Sequence, residues 1–288
     1  MKSGKISSQG IKLYYEIHGQ GQPMLLLNGG PGFSHEYLEP LKSLADQAKL
    51  VFYDQRGTGQ SDKANPSTYT IDANVEDLEQ LRQQLGLGKC ILFGHSWGGI
   101  LAQSYILKYP QNVSRLILAD TFACTADINA ALQRMRAAVP AEVRAVYEKY
   151  EREGLYKGRD RYPDEYQAAL DVAYEPVTIS TPPPEYLQRM FSKLAYDVYR
   201  AMWGEVSEFV VTGTLAEFDA RPRLSEIHAP TLVIVGANDM PTVEMARDIA
   251  QRIPNARLEV FERSRHFPFI EETEKFQQIM HQFLSLAD

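Results

Sequence analysis

Only two cysteines occur in 288 residues, Cys90 and Cys124. Two thiols cannot build a disulfide framework, and both are expected to be reduced core residues. No Cys/His cluster has the spacing of a metal site, so neither metal nor cofactor is expected. No apolar run approaches the ~18 residues of a membrane span. No apolar stretch follows Met1-Lys-Ser-Gly-Lys5. Neither a membrane nor a secretory leader is therefore expected, and the simplest compartment is the cytoplasm. Basic residues are in the minority: 30 Lys and Arg stand against 37 Asp and Glu, for a net charge of −7, and no Lys/Arg block occurs. Nucleic acid, which needs a basic surface, is disfavoured as a partner. What is present is an ordinary globular balance, 44% hydrophobic and 23% charged, with enough apolar material for a large core.

The stretch that organises the rest is Cys90 to Tyr109. A short apolar run, Cys90 to Phe93, meets Gly94-His-Ser96-Trp97-Gly98, and a stretch rich in Ile, Leu and Ala follows. Gly-x-Ser-x-Gly between a buried strand and a helix is the pattern of a nucleophile elbow. The serine stands on a sharp, strained turn, and the crossing of strand and helix leaves room only for glycine two residues to either side. Alone the pattern is weak, since chance supplies it in roughly one chain in ten of this length. The rest of the chain has to supply a base, an acid and a second oxyanion donor.

Residues 5–19 alternate and suggest a half-buried antiparallel strand. Met24 to Leu27, Lys49 to Tyr53, Cys90 to Phe93, Val113 to Ala119, Thr231 to Val235 and Arg257 to Glu262 are short buried strands. Stripes through Leu38, Leu41 and Leu44 (with Ser34 as N-cap), Val75 to Leu85, Val243 to Ile253 and Phe276 to Leu284 suggest helices between and after them. Strand and helix in alternation give the α/β class, with a mainly parallel sheet covered on both faces. Residues 123–222 carry no buried-strand run and suggest a helical cap. The expected division is core 1–122, cap 123–222 and core 223–288, with the cap over the C-terminal edge of the sheet, where ligands bind.

Ser96, Asp239 and His266 each lie just beyond the C-terminal end of a strand, so one sheet edge can gather them. Their order along the chain is that of an elbow hydrolase. His266 would take the serine proton, and Asp239 would orient and stabilise the imidazole. Asp120 also ends a strand and is the alternative acid. The N–H of Trp97, at a helix start, and that of Gly30, in the loop Asn28-Gly-Gly-Pro-Gly32, are the expected oxyanion donors. The loop lacks the Lys of a phosphate-binding loop. Asp54 and Arg56 are read as locks of a tight loop, and His35 as a residue near the site.

Asn28-Gly-Gly-Pro-Gly32, Asp54-Gln-Arg-Gly-Thr-Gly-Gln-Ser61 and Gly94-His-Ser-Trp-Gly-Gly99 resemble three signature blocks of the prolyl aminopeptidases (proline iminopeptidases) of the α/β-hydrolase superfamily. Tyr199-Arg-Ala-Met202 and Ser207 to Leu215 are similar to the cap of the branch that includes the tricorn-interacting aminopeptidase. The resemblance covers nearly the whole chain. It implies an α/β-hydrolase fold with a helical cap, and release of N-terminal residues from short peptides through an acyl-enzyme, without metal. It also implies that acidic residues at the cap–core junction hold the substrate's α-amino group. Glu208 matches one of them, with Glu205 as the weaker candidate. Two positions depart from the family. Asn28 stands where histidine is usual, and Met240 where the nearest branch has an acid after the triad Asp; both are read as substrate-side positions. The departures leave room for an amidase, or for an ester or lactone hydrolase on the same triad. A non-catalytic binding protein on this fold is the reading from another class. The expected partner is a small molecule or short peptide, and the sequence gives no oligomeric state.

Overall fold

A computed structural model describes residues 2–285. The residues at 1 and 286–288, the outer ends of the two core segments, lie outside that range. The chain opens with a hairpin, β1 (Lys2–Ser8) and β2 (Ile11–His18), rather than one strand over 5–19. The chain reverses at Gln9 and Gly10, both at positive φ (47° and 83°). That is the geometry of a two-residue hairpin turn whose twist matches the strands.

Six more strands follow: β3 (Pro23–Leu27), β4 (Lys49–Tyr53), β5 (Cys90–His95), β6 (Val113–Ala119), β7 (Thr231–Gly236) and β8 (Ala256–Phe261). The spatial order is β1-β2-β4-β3-β5-β6-β7-β8. β1, β2 and β4 pair antiparallel, and every pairing from β4 through β8 is parallel. The buried strands read as unbroken apolar runs because both faces of the sheet are covered. Leu25, Leu27, Leu92, Val233 and Val235 face one core. Their neighbours Met24, Leu26, Ile91, Phe93, Leu232 and Ile234 face the other.

Helices α1 (Ile71–Gln84) and α2 (Trp97–Lys108) cover the first face. A 3-10 segment, His35–Leu44, lies on the second. The stripe 38-41-44 was expected to be α-helical. A repeat of three throughout, with Pro40 inside the segment, suits the tighter helix. Ser34 precedes it but makes no side-chain cap. Between β6 and β7 come five helices: α3 (Thr125–Ala138), α4 (Ala141–Glu153), α5 (Asp164–Thr178), α6 (Glu185–Ser192) and α7 (Tyr196–Met202). The chain ends with α8 (Val243–Arg252) against the first face and α9 (Pro268–Glu271) and α10 (Thr273–Leu284) against the second. Among the described residues no helix is long and apolar enough to cross a membrane.

Candidate active site

Parallel strands put their C-terminal ends on one edge, and that edge carries the site. β5 ends in His95, and Ser96 follows at φ 57°, ψ −124°, a strained conformation for a non-glycine residue. The strain is held by packing. A Cβ on Gly94 would run into the Gly98 carbonyl, and one on Gly98 into that of Leu27, so strand and helix touch backbone to backbone. Ser96 is fastened by its N–H on the Ala119 carbonyl (3.0 Å) and by the Thr121 hydroxyl on its own carbonyl (2.7 Å). Its own hydroxyl has no hydrogen-bond partner among the described residues and is partly open to solvent.

His266 follows β8, and its Nδ1–H donates to Oδ1 of Asp239 at 2.8 Å. That bond fixes the tautomer and leaves Nε2 as the free basic nitrogen. Asp239 is buried, and the same oxygen accepts the Met240 N–H at 2.6 Å. Burial raises the Asp239 carboxyl above the usual carboxylate range, and His266 offsets only part of that. Met240 thus contributes a backbone amide to the acid.

The glycine-rich loop after β3 passes directly over the serine: a Cβ on Gly29 would lie 2.9 Å from Cβ of Ser96. Gly30 is the next residue. Trp97 opens α2, where its N–H has no intrahelical acceptor. Its indole N–H reaches Oε1 of Gln55 at 2.6 Å, and the Gln55 amide donates to the Asn28 carbonyl at 2.9 Å. Gln55 therefore clamps the elbow to the loop. Asn28 was expected on the substrate side. It is fully buried, and its amide closes the loop on the Phe33 carbonyl at 2.7 Å, so it braces the loop from inside.

A second tie runs underneath. The Gly29 N–H donates to the Tyr37 hydroxyl. That hydroxyl donates to Nδ1 of His95 at 2.8 Å, and His95 Nε2–H donates to the His266 carbonyl at 2.8 Å. The direction is forced, because an amide only donates and a carbonyl only accepts. Burial holds His95 neutral, well below the usual histidine range. The chain joins the loop over the serine to the backbone of His266. Tyr37→Phe leaves the Gly29 N–H and His95 Nδ1 unpaired. It is expected to cost about 1–3 kcal/mol in urea unfolding and to lower kcat with KM little changed.

Glu208 lies among the helices between β6 and β7, 5% exposed. Three tyrosine hydroxyls donate to its carboxylate: Tyr162 at 2.5 Å on Oε2, and Tyr174 at 2.7 Å and Tyr199 at 2.6 Å on Oε1. The Trp203 indole holds its carbonyl at 3.0 Å. No cation pairs with it among the described residues. Burial raises its carboxyl, and the tyrosines work against that. Two of the three tyrosines lie on helices tied to the candidate site, one at His266 and one at the glycine-rich loop. Tyr174 and Thr178 are one turn apart on α5, about 6 Å, and the Thr178 carbonyl accepts the His266 N–H at 3.1 Å. Tyr199 is on α7, whose start is pinned by the Ala195 N–H on the Gly32 carbonyl at 3.0 Å. Glu205 does not join this group: it is exposed and pairs with Arg200 at 2.6 Å. Glu205 and Glu208 both lie in the turn-rich segment after α7, where Glu208 is buried and Glu205 faces solvent.

The remaining residues singled out in the sequence fall into supporting places. Asp54 accepts the His35 ring at 2.8 Å and the Gln60 N–H at 2.8 Å. Arg56 pairs with Asp77 at 2.8 Å rather than with Asp54. Asp120 is fully buried under Asp239 and makes no contact with His266 Nδ1.

The profile of the alpha/beta hydrolase fold family matches residues 22–273. A proline iminopeptidase from Saccharolobus solfataricus is 35% identical over 283 residues, 96% of this chain and 89% of that protein. The chain belongs to the proline iminopeptidase family of α/β-hydrolases. Solved α/β-hydrolase structures agree with it along their whole length. VinJ superposes with a TM-score of 0.89 at 30% identity, covering 98% of both chains. The proline iminopeptidase of Mycobacterium smegmatis gives 0.85 at 27% identity, covering 98% of this chain and 97% of that one. The sequence reading gave no site role to Gln55, Tyr37 or the three tyrosines around Glu208. Apart from Tyr199, nine residues from Glu208, each has a partner far away in the chain, and no local pattern marks its role.

Proposed function

We propose that the protein is a serine aminopeptidase that removes an N-terminal residue, proline or a small apolar one, from short peptides or amino-acid amides. The observation that carries it is Glu208. Its carboxyl is buried and without a cation among the described residues, yet three tyrosines donate hydrogen bonds to it, which favours its charged form against burial. Three of its roughly four lone-pair sites are used, which leaves one for an incoming N–H. A protonated amine is the natural counter-charge. The family relationship points the same way.

With the amine held there, Ser96 Oγ attacks the carbonyl carbon of the first residue and its proton passes to Nε2 of His266. The oxyanion is held by the N–H groups of Gly30 and Trp97, each worth about 3–4 kcal/mol. The intermediate collapses, the C–N bond breaks, and His266 returns the proton to the leaving amine. Water then repeats the sequence on the Ser96 ester, freeing the amino acid. Two buried free thiols fit a reducing compartment such as the cytoplasm.

The test compares proline and alanine p-nitroanilides with their N-acetylated forms and with simple esters. Acetylation is expected to cut kcat/KM by at least about a hundredfold, the worth of a desolvated charge pair. Equal turnover of blocked and free substrates would sink the aminopeptidase reading, and turnover of esters alone would turn it into a carboxylesterase.

A further inference from the structure

Asp120 follows β6 directly, at φ 52°, in the left-handed region that strains most side-chain-bearing residues. Its N–H is on the Ile234 carbonyl at 2.9 Å, and its Oδ1 accepts the Gly236 N–H at 3.0 Å. The residue is fully buried, and its carboxyl lies in hydrogen-bonding contact with that of Asp239. Neither Oδ2 of Asp120 nor Oδ2 of Asp239 receives an N–H or O–H from any other described group. His95 Nε2 is 3.9 Å from Oδ2 of Asp120, but its proton is committed to the His266 carbonyl.

Two ionised carboxylates in contact, out of water and with no donor between them, repel each other and leave both oxygens unsatisfied. One proton removes both problems. The neighbouring donors decide which acid carries it. Oδ1 of Asp239 receives two hydrogen bonds, from the His266 ring and the Met240 amide, which favour its anion. Asp120 receives a single neutral amide. We propose that Asp120 is a positioning residue, a neutral carboxylic acid whose O–H donates to Oδ2 of Asp239 and so holds that carboxylate with its other oxygen on His266. Burial, and then the Asp239 charge, raise the Asp120 carboxyl well above the usual carboxylate range. The groups that face it are Asp239 after β7, His95 of β5, Tyr37 of the 3-10 segment and, at longer range, Glu271 of α9.

The role rests on Ser96, His266 and Asp239 acting as proposed above. Ser96→Ala is the separate check. If that variant keeps its turnover, the site reading fails; in an enzyme that depends on Ser96, the Asp120 variants bear on Asp120 alone. The measurements are kcat, KM and the pH dependence of kcat/KM on proline p-nitroanilide, with an NMR titration of the His266 ring. Asp120→Ala removes the donor and is expected to lower kcat roughly 10- to 100-fold, the cost of a loosened catalytic group, with KM little moved. Asp120→Asn keeps an N–H for Asp239 and a carbonyl for the Gly236 N–H. It is expected to recover kcat to within about threefold of wild type and to keep the acid limb and the ring titration in place. Were Asp120 ionised, Asp120→Asn would delete a buried negative charge and lower both by about a pH unit or more. That shift, an Asp120→Asn enzyme as slow as Asp120→Ala, or an Asp120→Ala enzyme as fast as wild type, each overturns the proposal. Should Asp120→Ala fail to fold, the two Asp120→Asn readouts still decide.

Discussion

Replacing Ser96 with alanine is expected to lower kcat by roughly 10⁴- to 10⁶-fold and to leave stability within about 0.5 kcal/mol of wild type. Both halves follow from the elbow. Alanine keeps the β-carbon, so the strained backbone at φ 57° is unchanged, and the backbone bonds to Ala119 and Thr121 survive. The hydroxyl itself has no partner to lose among the described residues. What disappears is the nucleophile. The remaining activity is what the oxyanion donors and substrate binding give on their own. A serine-directed phosphonate should label the wild-type protein once per chain and Ser96→Ala not at all. An unlabelled wild type, or an alanine variant that still turns over, would remove Ser96 from the chemistry and with it every role assigned to His266 and Asp239. A variant that unfolds instead would mean that the hydroxyl supports the turn.

The proposed triad could be read from the sequence for a physical reason. Parallel strands buried on both faces are continuous apolar runs, so their ends stand out, and a polar residue just past such an end lies on the one edge that all of them share. Ser96, Asp239, His266, Asp120 and the loop at Asn28 were found in this way. The first hairpin was hidden because Gln9-Gly10 is a weak turn signal inside a stretch that alternates on both sides. The helices between β6 and β7 were visible only as the absence of strands. The setting of Glu208 was not visible at all. Tyr162, Tyr174 and Tyr199 lie 46, 34 and 9 residues from it in the chain. Single tyrosines on or beside amphipathic helices look like core. The Tyr37–His95–His266 tie is the same case, and so is the charge state of Asp120, which depends on burial and on a neighbour 119 residues on.

Glu208→Gln is expected to lower kcat/KM for free-amine substrates by roughly 10²- to 10³-fold, mostly through KM, which is about 3–4 kcal/mol. The same change should barely alter the low turnover of N-acetylated substrates, which bring no cation to the site. Stability is expected to move the other way. The folded protein holds the Glu208 carboxyl above its unfolded value, chiefly by burial. A raised acid contributes stability that is fully present below the unfolded pKa and is lost as pH rises through the folded one. Ionising the group is thus a cost to the fold, which glutamine removes while its carbonyl still accepts from Tyr174 and Tyr199. The variant should melt no lower than wild type at pH 7, and its advantage should shrink as the pH is lowered toward the acid range. Activity has the opposite sign. If the proposed amine site is right, kcat/KM for free amines should fall as pH drops through the raised Glu208 pKa, a limb absent in Glu208→Gln. A residue kept for packing would give the reverse pattern, a lower melting temperature with the preference for free amines intact. A stable variant that has lost that preference is the signature of a carboxylate kept buried, at a cost to folding, for the cation it has to meet.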